Sequence, residues 1–356
     1  MATADVTVMG GGIFGLSIAW ECARRGAAVR LVERDRIGAG SSGGIVGALA
    51  PHVPETWNPK KAFQLDSLLM AAGFWAGVAE ASGLDPGYAR LGRLQPLADE
   101  AAVARARERK AGAAARWGGQ AEWRVVPAAA DGWAPGSPSG WMVEDTLSAR
   151  LHPRAAARAL VAAIRAKGGV VEEAVPVPPA EVFSNRRRQG AVVWATGVQG
   201  LSDLSADLGR DVGAGVKGQA ALFDCAARER PQLFVGGLHV VPHHDGTVAV
   251  GSTSERDFAD PEGTDEALET LIATVRDLCP ALRDAPVIER WAGVRPRAKS
   301  RAPMLGAWPG RAGHFVANGG FKIGFGMAPK VAEVMACLVL EGRDGVPAGF
   351  RVEDSL

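Results

Sequence analysis

The sequence predicts an α/β protein of two domains. One is built on a parallel sheet assembled from discontinuous segments; the other is α+β with a mainly antiparallel sheet. Three observations carry this reading. A strand–helix–strand unit opens the chain. Buried strand or strand–turn–helix patterns recur in the middle and at the end. Between them lies a hairpin signal, with strand-like residues at 238–242 and 247–250 flanking Asp245-Gly246. A length of 356 residues also exceeds one typical core. The expected partition is 1–85, 145–215 and 292–356 for the first domain, and 86–144 and 216–291 for the second.

Taken in order, Asp5-Val6-Thr7-Val8-Met9 is a short apolar run ending in glycines, the pattern of a strand buried on both faces. Residues 13–25 have helical spacing, with Leu16, Ala19 and Trp20 on one side, and residues 28–32 form a second strand. Helices are expected over 62–82 and 98–117, and a loop over 127–140. An amphipathic helix over 153–167 stops at Gly168-Gly169. Residues 191–195 read as another buried strand, and 263–278 as a helix ended by Pro280. The last helix is expected to begin near Pro329, since a first-turn proline lacks only an N–H that would be unpaired anyway.

The bulk numbers exclude several classes. The chain is 47% hydrophobic and 22% charged, with a net charge of +1, which gives no support for a nucleic-acid binder. Its dense basic run, Arg186-Arg187-Arg188, reads as a solvated turn. Cys22, Cys225, Cys279 and Cys337 are scattered without CxxC or Cys/His spacing, so no metal site is expected and each reads as a small buried hydrophobe. A strand pattern by residue 5 leaves no room for a signal peptide, and no uninterrupted apolar run approaches the length of a membrane span. These features predict a cytoplasmic setting, and a homo-oligomer is compatible with them.

Gly10-Gly11-Gly12-Ile13-Phe14-Gly15 fits G-x-G-x-x-G between strand and helix. Gly10 permits the tight turn, Gly12 lets backbone approach a pyrophosphate, and Gly15 lets helix and strand pack closely. The helix N-terminus then offers free N–H groups to the anion. Glu33 lies about 20 residues on, where a carboxylate accepts from ribose hydroxyls. A Rossmann-type dinucleotide domain follows, for NAD or FAD alike. The small-residue stretch at 36–47 favours FAD, because the ribityl chain needs close backbone approach and hydroxyl donors. Gly40, Ser41, Ser42 and Gly47 are candidates there.

Four more stretches carry a family resemblance. They are Val193-Trp194-Ala195-Thr196-Gly197, Val216-Lys217-Gly218-Gln219, Val250-Gly251-Ser252-Thr253-Ser254-Glu255 and Trp291-Ala292-Gly293-Val294-Arg295-Pro296. In this order the chain resembles the FAD-dependent D-amino-acid oxidase family, in its glycine-oxidase and sarcosine-oxidase-like branches. The resemblance implies FAD contacts at Ile13, Phe14, Arg34, Ala48, Leu49, Val175, Ala195, Thr196 and Gly197. It places the turn Gly319-Gly320-Phe321-Lys322-Ile323 against the flavin ring, its backbone N–H groups near the pyrimidine oxygens. Arg295 takes the position that binds the substrate carboxylate and lies beside the cofactor. Paired guanidinium donors match a carboxylate independently of any family.

Lys322 and His52 complete the expected catalytic set. Lys322 either adds charge near the flavin or points to solvent. His52 either faces substrate or flavin, or is a hydrogen-bonded structural histidine. His239 is open in the same way, whereas His243 and His244, flanking the hairpin turn, are expected to be exposed. One departure stands out: the family often sets a tyrosine beside the arginine, yet the lone tyrosine here, Tyr88, falls in an Asp-Pro-Gly turn region away from the expected sheet. No His or Cys occurs within 36–48, so the FAD is expected to be non-covalent.

The implied reaction oxidises the C–N bond of a small carboxylate-bearing amine, by hydride transfer to flavin N5. O2 or another acceptor would take the electrons. Alternatives are a 2-hydroxy-acid dehydrogenase using His52 as base, a flavin domain acting on a modified tRNA base, and a non-enzymatic nucleotide-binding protein.

Overall fold

The computed structural model describes residues 4–128, 131–176 and 190–356. The basic run Arg186-Arg187-Arg188 lies outside them. The opening unit forms as β1 (Val6–Met9), α1 (Ile13–Arg24) and β2 (Val29–Val32). Next come β3 (Ala48–Leu49), α2 (Pro59–Ser82), β4 (Arg93–Pro96), α3 (Glu100–Trp117), β5 (Trp123–Pro127) and β6 (Trp141–Asp145). The middle of the chain gives β7 (Ala149–Arg150), α4 (Pro153–Ala166), β8 (Val170–Glu172), β9 (Ala191–Trp194) and α5 (Gly197–Leu208). Then follow β10 (Gly213–Asp224), β11 (Gln232–Val235), β12 (Leu238–Pro242), β13 (Thr247–Gly251) and α6 (Glu266–Leu278). The chain closes with β14 (Val287–Ala298), β15 (Met304–Ala307), β16 (His314–Asn318) and α7 (Gly324–Glu341).

A six-stranded sheet has the order β15-β16-β9-β1-β2-β8, parallel except for the β15–β16 pair. Its apolar strands are buried as their composition requires, with Val6, Val8, Leu31 and Val193 fully enclosed. An eight-stranded sheet runs β14-β10-β13-β12-β11-β4-β6-β5, antiparallel except where β11 meets β4. The strands β10 and β14 pair from Gly213–Ala298 to Phe223–Val287. The expected domain limits at 215/216 and 291/292 therefore fall inside single strands of this sheet.

Local chemistry sets the helix ends. Asn58, Asp99 and Asp265 cap α2, α3 and α6 by accepting from Lys61 N, Ala102 N and Ala267 N. Left-handed Gly83, Gly118, Gly209 and Gly342 close α2, α3, α5 and α7. Helix α2 alone among the described residues is long and apolar enough to cross a membrane by length and composition; here it packs on α4 and α7, burying Phe63, Leu68 and Trp75.

One boundary differs from expectation. Helix α7 starts at Gly324, and Pro329 lies inside it. Glycines at 324 and 326 are poor helix formers, which hides the start in the sequence. Space does not demand glycine there: β-carbons at these positions would stand 3.5 Å from Ile13 of α1 and Leu68 of α2, an ordinary van der Waals distance.

Candidate active site

Four parallel strands deliver their carboxyl ends to one place. Gly10 follows β1, Glu33 follows β2, Ala195 follows β9 and Gly319 follows β16, and all four line one cavity of about 1650 Å³. This is where the strand order reverses about β1, the usual ligand crevice of an open α/β sheet. The volume exceeds the several hundred Å³ typical of a small-molecule pocket, enough for an extended cofactor with a small substrate beside it.

The β1 turn is shaped by what side chains would hit. Gly10 has φ +107°, and a β-carbon there would lie 2.4 Å from the Ala195 carbonyl oxygen. A β-carbon on Gly15 would lie 2.0 Å from the Gly10 carbonyl oxygen. Gly15 is thus the packing glycine and does not itself line the cavity. Ser42, on the small-residue loop, accepts from Ile13 N at 2.9 Å and caps the first turn of α1. Glu33 accepts from Gly11 N at 2.6 Å and from Asp35 N at 2.9 Å, which holds its carboxylate against the glycine turn. Arg34, Gly40, Ser41, Gly47 and Ala48 also line the cavity.

On the opposite side, Thr196 Oγ1 is buried without a hydrogen-bond partner among the described residues. Asn318 links two strand ends, donating to Gly197 O at 2.8 Å while accepting from Gly319 N at 2.7 Å. The N–H of Gly319 is therefore taken, as are those of Phe321, by Pro296 O, and Ile323, by Gly320 O. Three of the five N–H groups of the turn are thus occupied, which narrows its expected role to those of Gly320 and Lys322. The helix-end donors lining the cavity belong to Gly324, Phe325 and Gly326, the first three residues of α7.

Arg295 reaches the cavity from β14 and is 7% exposed. Its Nη1 donates to Thr253 O at 3.3 Å, and no carboxylate lies within ion-pair distance among the described residues. Burial pushes its pKa down to about 10, with Glu255 opposing the shift. Lys322 lines the same cavity; partial enclosure and then Arg295 lower its pKa. His239 lines it as well, from β12, with its ring against Phe234 at a centroid distance of 4.9 Å.

Several expected residues lie elsewhere. His52 is not in the lining: its backbone N–H donates to Gln64 Oε1 at 2.8 Å and its Nδ1 engages the same oxygen. It is the hydrogen-bonded structural histidine of the two readings. Leu49 is buried behind Ala48, and Val175 packs in a separate core cluster with Met9 and Val32, so neither meets the cavity. Tyr88 is also outside, its hydroxyl buried and unpartnered among the described residues.

His243 corrects the expectation of exposure. It is fully buried and donates from Nε2 to Ile45 O at 2.8 Å, fixing the loop beside the cavity; burial lowers its pKa to about 4. His244 is half-buried. Two of the cysteines, Cys225 and Cys337, are only half-buried. Sequence reasoning also missed Trp308, Arg311 and Asp207 at the cavity wall, whose mutual hydrogen bonds join α5 to the segment after β15. Nothing in their local spacing marks them.

The residues fit FAD. The bare glycine turn, the orphaned Thr196 hydroxyl, the Glu33 carboxylate and the start of α7 all line the one cavity, and together they supply the kinds of group that pyrophosphate, ribose and a flavin pyrimidine would need.

Comparison with known proteins agrees. At 29% identity the chain matches glycine oxidase of Pseudomonas putida over 99% of both sequences. It is 27% identical to the bifunctional protein ThiO/ThiG of Trichormus variabilis, covering 95% of this chain but 53% of that one, so it spans about half the length of that relative. The crystal structure of glycine oxidase from Geobacillus kaustophilus superposes with a TM-score of 0.82 at 22% identity, covering 98% of each chain. The family model described as DAO, FAD dependent oxidoreductase, matches residues 5–338, and the chain belongs to that family of FAD-dependent oxidoreductases.

Proposed function

We propose that this protein oxidises the C–N bond of a small amino acid or N-substituted glycine. The observation that carries the reading is Arg295: a buried guanidinium without a carboxylate partner among the described residues, in the cavity built for a flavin. A buried charge left unpaired is costly, so a cavity that keeps one is suited to an anionic ligand. A substrate carboxylate meets Arg295 with paired charge-assisted hydrogen bonds. Lys322 adds positive charge at the same end. With its carboxylate held, the substrate is oriented so that the carbon bearing nitrogen faces the cofactor.

When bound, FAD supplies the two-electron acceptor for the hydride leaving that carbon. Gly324, Phe325 and Gly326 point the positive end of α7 toward where negative charge would develop. Trp291 and Phe234 add apolar wall to the cavity. Among the described residues no carboxylate lies within ion-pair distance of Arg295, and an amine that reacts in its neutral form requires no side-chain base. The imine product is then hydrolysed by water.

Non-covalent attachment is part of the proposal. Cys337 stands outside the cavity, where Arg25 and Arg343 donate to its sulfur. The 2-hydroxy-acid alternative is less supported, since His52, the base it needs, is held by Gln64 outside the lining.

The test is spectroscopic. Purified protein should show flavin absorbance that acid or heat releases. Anaerobic addition of glycine, N-methyl glycine and D-amino acids should bleach it, and 2-hydroxy acids should not. Bleaching by hydroxy acids alone would overturn the amine reading.

A further inference from the structure

The imidazole of His239 has no task in the fold. Its Nδ1 is buried and has no hydrogen-bond partner among the described residues, although the ring lies in the cavity wall. Nδ1 of His243 and of His244 is buried and unpartnered in the same way, but those rings do not line the cavity, whereas His239 lines it and makes no side-chain hydrogen bond among the described residues. His243 donates to a carbonyl, His52 engages Gln64, and His152 caps α4 through Ala155 N. An orphaned polar ring inside a binding cavity calls for a ligand group.

Its position is fixed from three strands. His239 pairs across β11 with Phe234 and across β13 with Gly251. Phe234 in turn lies beneath the Arg93 guanidinium, 5.7 Å from the ring centroid, and Arg93 is held by a buried ion pair with Asp145 at 2.8 Å. The ring is therefore pre-oriented, which lowers the entropy lost on binding. Lys322 is close enough to act electrostatically on both His239 and Arg295.

We propose that His239 is a specificity-determining residue that donates a hydrogen bond to the substrate carboxylate, beside Arg295 and Lys322. The inference rests on the amine-oxidising reading above. With Nδ1 sealed in the wall, its lone pair is the less costly group to leave unpaired, so the proton belongs on Nε2 and that nitrogen is the donor. Burial, with Arg93 and Lys322 adding to it, pushes the pKa down to about 3, so the ring is neutral across the ordinary pH range. A neutral donor adds direction without adding a third charge.

The experiment uses the FAD-loaded protein. Acetate, which carries a carboxylate and nothing else, is titrated against the flavin absorbance, and KM and kcat are measured with N-methyl glycine. His239→Leu should raise the acetate Kd and the KM about tenfold, leaving kcat within about twofold and FAD content unchanged. His239→Gln, whose amide N–H falls near the Nε2 position, should recover most of the loss. Wild-type acetate affinity in His239→Leu, with FAD retained, would overturn the proposal. So would a raised KM with unchanged acetate Kd, which would move the contact to another part of the substrate. A wild-type protein blind to acetate would overturn it as well. If no amine reduces the wild type, the amine reading fails, while the acetate titration still reads the His239 contact.

Discussion

A β-carbon on Gly218 would lie 1.8 Å from Nη2 of Arg295. The two residues belong to adjacent strands, with Gly218 opposite Gly293 and Arg295 opposite Val216. The guanidinium lies across backbone that carries no side chain, on the diagonal that long side chains reach in an antiparallel pair. The requirement for glycine here is one of space.

Gly218→Ala should therefore displace the guanidinium. The expected result is a rise in substrate KM on the order of 100-fold, the scale of losing a charge-assisted pair of hydrogen bonds. FAD content should stay unchanged, and Arg295→Leu should behave alike. A Gly218→Ala enzyme with wild-type KM would remove Arg295 from the substrate site.

Glu33 tests the other end of the cavity. Glu33→Ala removes the acceptor that orders Gly11 and lines the cavity, where it is expected to accept from a ribose hydroxyl. FAD affinity should fall about tenfold, read by quenching of free flavin fluorescence, with substrate KM at saturating FAD little changed. Undiminished FAD affinity would remove the ribose role.

The lowered pKa of Lys322 gives an alkaline limb to carboxylate binding. The charged form binds the anion, so affinity is full below that pKa and declines as pH rises through it, earlier than an ordinary lysine would allow. Acetate does not titrate in this range, which isolates the protein groups. Lys322→Arg should move the decline to higher pH. A decline that stays in place would assign it to Arg295 instead.

Acid sensitivity should come in part from His239 and His243. His239 and His243 have folded-state pKa values near 3 and 4, below the ordinary 6.5. The unfolded chain therefore binds more protons between pH 6.5 and 4, and stability falls as pH drops through that window. Melting temperature should decrease from pH 7 to pH 5. His243→Gln should flatten the slope; an equal slope in that variant would show that other groups cause it.

The glycine turn at 10–15, Glu33 and the strand ends at 195–197 were legible because their chemistry is local. A turn, a helix start and a carboxylate at a fixed distance in sequence determine one another through short-range backbone geometry. The start of α7 was not legible. Its first turn carries two glycines, weak helix formers, in a helix that packs on α1 and α2, far away in sequence.

By itself, then, the sequence determined the class of fold, the dinucleotide turn and the candidacy of Arg295, all written in short motifs with their own physical reasons. The tertiary structure decided which candidates meet. It set Arg295 over Gly218, brought Lys322 and His239 to the same wall, and left His52 with Gln64. These outcomes depend on the register of β10 against β14 and on the pairing of β11, β12 and β13. Such long-range pairings bring together residues distant in the chain, and no local pattern records them.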